Sequence, residues 1–284
     1  MMRTKEQYEQ MEKIRCWIEY YMMDIVETNK APEHFNMPRE QFLRFFKNMT
    51  GVPFRRFVLM RRMYFAARQM RQGASAEDAY RTNAYRSRRD FARAFYSVFG
   101  VSAEEYAQTR GRCLMTEPKI IMRPLPFHVV GYPFEAIPDL SWMESGAYWL
   151  GQYFPPFDAE EFAQIGGCSI EIGAWTRQGD KAVYVFGNLV DKIGYVPDSM
   201  CALTIPGGGF MAFRVPASKN AEELSEYVQA TWYYAYEQWL PESPFDPDYT
   251  RGSFEYYHDD ECWILIPVCE KASKARRREK ADKG

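Results

Sequence analysis

Residues 42–53, Phe42-Leu43-Arg44-Phe45-Phe46-Lys47-Asn48-Met49-Thr50-Gly51-Val52-Pro53, are echoed 49 positions later by Phe91-Ala92-Arg93-Ala94-Phe95-Tyr96-Ser97-Val98-Phe99-Gly100-Val101-Ser102. Both stretches read F-x-R-x-F and, five residues after the second Phe, Gly-Val followed by Pro or Ser. Agreement over a dozen positions marks a duplicated structural unit. The two Phe of each copy are four apart, so they share one face of a helix, and the Arg between them faces elsewhere. The Gly that follows is the residue a helix uses to stop.

The surrounding sequence supports the same reading. From Lys5 to Glu27 there is no Gly or Pro, and Met11, Ile14, Trp17 or Ile18, Tyr21 or Met22 and Ile25 recur at helical spacing, predicting one amphipathic helix broken at Asn29-Lys30-Ala31-Pro32. Pro38 opens the helix of the first copy. A longer helix follows from Pro53 to Gln72. Its core face is Phe54, Phe57, Val58, Met60 or Arg61, Tyr64, Phe65 and Met70, with Arg55, Arg56, Arg62, Arg68 and Arg71 expected outward. Gly73 ends it. Ser75 with Asp78 three residues on signals the start of a short helix to Thr82, and Ser87 caps the helix Arg88–Phe99. A last short helix covers Ala103–Gln108.

Charge is sorted along the chain. Residues 1–112 hold 21 basic and 13 acidic groups, residues 113–270 hold 8 and 23, and residues 271–284 hold 7 and 2. Within 39–112 the count is 16 basic against 6 acidic, a concentration suited to a polyanion and hidden by the overall pI of about 6.1.

The duplicated unit around a linking helix resembles the DNA-binding domain of the AraC family, most specifically in FLRFFKNMTGVPFRRFVLMRRMYFAARQM. The resemblance covers roughly residues 10–110 and implies two helix-turn-helix units joined by the helix at 53–72. Ala84-Tyr85 departs from the family's Gly-Phe and implies an altered second turn, since alanine disfavours positive φ. Ala79-Tyr80-Arg81-Thr82 stands where the family has a more apolar helix. A recognition helix presents its first turns to base edges in the major groove. That geometry selects Arg39, Gln41 and Arg44 in the first unit, and Arg88, Arg89 and Arg93 in the second, while Lys47, Arg55 and Arg56 suit phosphates.

After Glu117 the sequence changes to short apolar or alternating runs between Pro and Gly. Strands are expected at Lys119–Met122, Phe127–Tyr132, Ser169–Thr176, Ala182–Leu189, Met200–Ile205, Phe210–Pro216, Gly252–Tyr257 and Cys262–Val268, with helices at Trp142–Tyr153 and Ala221–Trp239. The last helix crowds six aromatics, Tyr227, Trp232, Tyr233, Tyr234, Tyr236 and Trp239, into thirteen residues, more than one core face requires.

The stretches IPGGGFMAFRVP (205–216), YVFGNLVDK (184–192) and SFEYYHDDECWILIPV (253–268) together resemble the GyrI-like effector-binding domain over about 118–270. Joined to an AraC-like N-terminus, this is the architecture of Rob-type regulators. The fold class implied is α+β multidomain, an all-α domain followed by an α+β domain of two βαββ halves. The expected boundaries are 1–112, 113–270 and a basic, disordered tail at 271–284. The resemblance also implies an aromatic-lined cleft holding one acid. Glu255 takes that position, and Trp175, Phe186, Trp232, Tyr236 and Tyr257 are the pocket candidates. A cationic or aromatic ligand would pair with the acid and lie over the rings.

Six dispersed cysteines without a CxxC pair, and only three histidines, favour reduced thiols and no metal site. No cofactor is expected. With neither a signal peptide nor an apolar run near 20 residues, the expected compartment is the cytoplasm. The leading reading is a ligand-controlled transcriptional regulator without enzymatic activity, with double-stranded DNA, a small effector and RNA polymerase as its partners. Two alternatives stay open. One is a small-molecule hydrolase using Glu255 as general base, which the GyrI-like resemblance allows. The other is a sequestering protein with weakened DNA recognition.

Overall fold

The computed structural model describes residues 10–271 apart from 12, 15, 16, 19, 51, 84, 136–162, 179 and 180, and apart from the side chains of 25, 26, 177 and 178. The chain divides into two compact units, Met1–Leu114 and Met115–Gly284. Among the described residues no helix is long and apolar enough to cross a membrane.

The first unit is helical. The described residues at 10, 11, 13, 14, 17, 18, 20 and 21 are helical, and a turn at 22–24 precedes α1 (Ile25–Asn29). The single helix expected to Glu27 is therefore interrupted earlier than Pro32. That proline instead sits in the first turn of α2 (Ala31–His34), where its missing N–H costs nothing. Then come α3 (Arg39–Thr50), α4 (Phe54–Arg71), α5 (Ala76–Thr82), α6 (Arg88–Phe99) and α7 (Ala103–Thr109).

The sequence repeat is a structural repeat. Helices α3 and α6 each have 12 residues, and in each the Phe pair occupies the fourth and eighth positions. Phe42, Phe46, Phe91 and Phe95 are all buried, a gain of about 1.5–3 kcal/mol apiece. Helix α4 serves both copies. Phe54 and Phe57 at its start meet Phe46 edge-on at 5.1 Å each, and Tyr64 further along meets Phe99 at 5.6 Å. Gly100 closes α6 in the left-handed conformation (φ 71°) that glycine adopts without penalty.

Caps fix the other helix starts. Ser75 and Asp78 form a reciprocal capping box on α5, Ser87 Oγ accepts from Asp90 N at 3.1 Å on α6, and Ser102 Oγ accepts from Glu105 N at 3.0 Å on α7. The short α5 docks through fully buried Ala79 and through Tyr80, whose ring lies 6.0 Å from Phe91. Ala84, on which the altered second turn depends, lies outside the described residues; Tyr85 beside it meets Phe91 edge-on at 5.7 Å.

Two linker arginines do not face out as expected. Arg62 is buried and donates to the Met22 carbonyl and to Thr28 Oγ1 (3.4 Å), and Arg71 is buried and donates to the Tyr106 hydroxyl at 2.9 Å. The break at 22–24 leaves carbonyls that no helix satisfies, and a long guanidinium arm on a core helix reaches one of them. Conversely Phe65, expected in the core, is 36% exposed.

The second unit is built on one antiparallel sheet. Its strands are β1 (Lys119–Arg123), β2 (Phe127–Glu135), β3 (Ile170–Gln178), β4 (Lys181–Val190), β5 (Cys201–Ile205), β6 (Gly208–Arg214), β8 (Phe254–His258) and β9 (Glu261–Glu270), with short β7 (Phe245–Pro247) pairing β9. The spatial order β1-β6-β9-β8-β3-β4-β2-β5 is a palindrome. Reflected about the β8–β3 seam, β9 corresponds to β4, β6 to β2 and β1 to β5. These are the expected two halves. The second half carries α8 (Ala221–Tyr233), continued by a π-helical turn at Tyr234–Trp239 and α9 (Leu240–Glu242). The expected helix Trp142–Tyr153 of the first half, and the tail from 272 on, lie outside the described residues.

One face of the sheet buries Phe127, Val129, Ile172, Ala174, Phe210, Phe254 and Leu265. Phe127 on β2 and Phe210 on β6 are far apart in strand order, yet their rings are 5.8 Å apart. The sheet is therefore strongly curled, with this face inside the curl. Glu255, next to Phe254 on β8, projects from the other face, because successive strand side chains alternate.

Candidate functional site

Strand pairing builds the effector-side site at the β8–β3 seam. Glu255 on β8 is opposite Gly173 on β3, and Gly173 is opposite Phe186 on β4. Two residues along the same strands, Tyr257, Tyr184 and Trp175 share that face. Gly173 is required for this arrangement: a Cβ there would lie 2.1 Å from the Tyr184 hydroxyl oxygen and 2.6 Å from Glu255 Oε2.

Glu255 is 1% exposed, yet each carboxylate oxygen is served. Oε1 accepts from Trp232 Nε1 on α8 at 2.7 Å, and Oε2 accepts from the Tyr257 hydroxyl at 3.0 Å and from the Tyr184 hydroxyl. Burial raises its pKa above the usual carboxylate value, and the three hydrogen bonds oppose that rise. Burial, with the Glu255 charge adding to it, holds Tyr184 and Tyr257 well above the ordinary phenol range, so both remain donors near neutrality. Burial pushes Tyr236 up to about 12.

The six candidates drawn from the sequence fall into one connected cluster. Trp175 stands 5.4 Å from Tyr184, Phe186 stands 5.6 Å from Tyr257, and Trp232 stacks on Tyr236 at 6.0 Å. The Tyr236 hydroxyl is 2.9 Å from Ser253 Oγ on the approach to β8. The sequence reading missed Tyr184, the closest partner of the acid. Its signal was present, because Tyr184 and Phe186 are two apart on one strand and must share a face.

The π-helical turn accounts for the aromatic crowding in this helix. Its wider i→i+5 repeat lets residues five apart face the same way. Tyr234 and Trp239 both meet Phe213 edge-on, at 6.1 and 5.4 Å. The sheet thereby accepts two rings that a regular α-helix would direct apart.

In the first unit Arg39, Gln41, Arg44 and Lys47 are exposed on α3, and Arg55 is exposed at the start of α4. Arg89 on α6 is also exposed, and its charge acts on the neighbouring Asp90. Other candidates are engaged. Arg88 pairs with Glu77 (3.6 Å) and Glu104 (3.2 Å), and Arg93 with Asp90 (2.7 Å). Arg56, expected on phosphate, binds Ser97 Oγ at 3.1 Å and the Ser97 carbonyl at 2.9 Å, which ties α4 to α6.

Each of the two units matches a known protein family. Residues 33–109 match the helix-turn-helix domain family, and residues 167–268 match the family described as integron-associated effector binding protein. None of the curated proteins is a significant match. Solved structures similar to the chain include an integron cassette protein from the mobile metagenome of Vibrio cholerae (15% identity, TM-score 0.35, 55% of this chain and 97% of that one). Another is a putative transcription regulation protein from Staphylococcus aureus MU50 (14%, 0.38, 54% and 98%). A third is SAV2435 bound to tetraphenylphosphonium (14%, 0.36, 54% and 94%). The chain thus carries an AraC-type helix-turn-helix domain followed by a Cass2/GyrI-like effector-binding domain, the make-up of a ligand-responsive transcription regulator.

Proposed function

We propose that the protein binds double-stranded DNA through α3 and α6 and that a lipophilic organic cation, sensed by Glu255, controls that binding or its productive contact with RNA polymerase. The observation that carries the ligand class is the buried Glu255 beneath Tyr184, Trp232 and Tyr257. A carboxylate out of water is costly without a counter-charge, and ring faces add about 0.5–2 kcal/mol for a cation lying over them. Trp175, Phe186 and Tyr236 extend the aromatic surface on which such a ligand would lie.

On the DNA side, Arg39, Gln41 and Arg44 read base edges, Lys47 and Arg55 hold phosphates, and Arg88, Arg89 and Arg93 make the contacts of the second unit. Binding, and not hydrolysis, is favoured because Glu255 is buried and three of its four lone-pair sites accept internal donors, whereas a general base has to be within reach of its water.

Two titrations of the full-length protein test this reading. Affinity for duplex DNA should fall with salt at a log–log slope of about −0.9 per phosphate neutralised. A slope near zero refutes DNA binding. Tetraphenylphosphonium should bind the wild type and lose at least tenfold in affinity on Glu255→Gln; equal affinity refutes the assigned acid.

A further inference from the structure

A cavity of about 460 Å3 opens on the sheet face opposite Glu255. Its walls come from Lys119, Ile121 and Arg123 on β1, Phe127 on β2, Tyr256 on β8 and Trp263 on β9. The alternation of β8 puts Tyr256 on the reverse side from Glu255, and Tyr256 pairs directly with Trp263. The volume is in the range of small-molecule pockets.

Its charge is the reverse of the Glu255 site. No acid is among the lining residues, while two cations stand over aromatic rings. The Arg123 guanidinium is 4.3 Å from the Phe127 ring centre, and Lys119 Nζ is 5.9 Å from that of Trp263. Arg123 Nε is buried, and no acceptor among the described residues reaches it. A buried donor without an acceptor is uncommon in folded proteins, and an anion at the same place would satisfy it.

The wall carrying Arg123 is also held in position. A Cβ at Gly207 would come within 2.6–2.8 Å of the carbonyl oxygens of Arg123, Pro124 and Leu125. Only glycine there lets the β5–β6 turn lie against the β1–β2 turn.

We propose that this cavity is a second ligand site, selective for a planar aromatic carboxylate. The ring would lie between Tyr256, Trp263 and Ile121, and the carboxylate would accept from Arg123 with Lys119 at the mouth. The site does not depend on the cation reading of Glu255, being on the other face and of opposite charge.

Calorimetric titration of the full-length protein with 2-naphthoate and with 2-naphthylmethylammonium, which share a ring system and differ in charge, tests it. The expected result is 2-naphthoate binding that weakens at least tenfold on Arg123→Met and is unchanged on Glu255→Gln. Ile121→Trp, which fills the cavity while keeping both cations, should also abolish it. If Arg123→Met unfolds, the Ile121→Trp result decides alone. No 2-naphthoate binding, or binding that ignores both cavity variants, or equal binding of the ammonium to the same cavity, overturns the proposal. Loss of ammonium binding on Glu255→Gln bears on the first site only.

Discussion

Gly173→Ala should damage the Glu255 site while leaving every polar group of that site in the sequence. The added Cβ would sit 2.1 Å from the Tyr184 hydroxyl oxygen, 2.9 Å from its Cζ and 2.6 Å from Glu255 Oε2, all far inside contact distance. Tyr184 is 1% exposed, so its ring cannot swing into solvent to make room. Overpacking of this kind costs about 1–3 kcal/mol. Losing the Tyr184 hydrogen bond to a charged acceptor costs a similar ~1.5–3 kcal/mol, and the two overlap because one displacement causes both. Gly173 is not a positive-φ glycine, so alanine returns ~0.4–1 kcal/mol by restricting the unfolded chain. The net expectation is a loss of about 2–4 kcal/mol. Urea unfolding followed by tryptophan fluorescence reports it, since six of the seven tryptophans lie beyond residue 114. Tyr184→Phe removes the atom most crowded, so the alanine penalty in that background should shrink by at least ~1 kcal/mol, the coupling expected of residues in contact. Equal penalties in the two backgrounds, or a Gly173→Ala protein as stable as wild type, would refute the reasoning.

Four further outcomes are expected. Burial raises the pKa of Glu255, so the folded protein holds this proton more tightly than the unfolded chain; the resulting stability is present below the ordinary carboxylate range and lost as pH rises through the raised value. Tetraphenylphosphonium affinity should run the other way, rising up to about tenfold per pH unit until Glu255 is ionised and flat in Glu255→Gln, as calorimetry across pH would read. Arg71→Met should destabilise the first unit by about 1–3 kcal/mol through loss of the buried hydrogen bond to the Tyr106 hydroxyl, measured by circular dichroism during urea unfolding; Tyr106→Phe in the Arg71→Met background should recover part of it. Ser87→Ala should cost about 1 kcal/mol through the lost cap of α6 in the same assay, and a change within 0.3 kcal/mol would count against the cap.

The helical unit was legible because its information is periodic. A repeated Phe pair, a terminal Gly and Ser caps are local signals, and they placed α3, α5 and α6 within a residue or two of their ends. Arg62 and Arg71 were misread because helix periodicity reports which residues are apolar. It does not report where a long polar arm finds an acceptor, and the acceptors here, the Met22 carbonyl and the Tyr106 hydroxyl, are 40 and 35 positions away. In the second unit the eight long strands announced themselves by alternation, while β7, only Phe245-Asp246-Pro247, is too short and too rich in turn formers to do so. Glu255 and its aromatic neighbours came from the family resemblance, and the pairing of β8 with β3 supplied what no local pattern holds, the close approach at Gly173. The π-helical turn was visible only as an excess of aromatics.

The fold also changes what the basic charge of the first unit means. Of the 16 basic residues in 39–112, Arg62 and Arg71 serve the interior, Arg56 ties α4 to α6, and Arg81, Arg88 and Arg93 are matched to acids. Net charge is therefore a poor measure of what a polyanion meets. Arg39, Arg44 and Lys47 are exposed on α3, and Arg55 is exposed in the first turn of α4. In the second copy Arg89 is exposed beside Asp90, and Arg86 is exposed in the turn before α6. Exposed ion pairs such as Arg93–Asp90 are worth about 0–1 kcal/mol, so under the proposed reading DNA would recruit those arginines at a small cost that the first copy does not meet. Two helices of equal length, with the same Phe anchors at the same positions, are thus set at different electrostatic readiness by three acids, Glu77, Asp90 and Glu104. Under the proposed DNA-binding reading, the copy whose arginines are not paired to acids engages first, and the second adds contacts once the first has fixed the register.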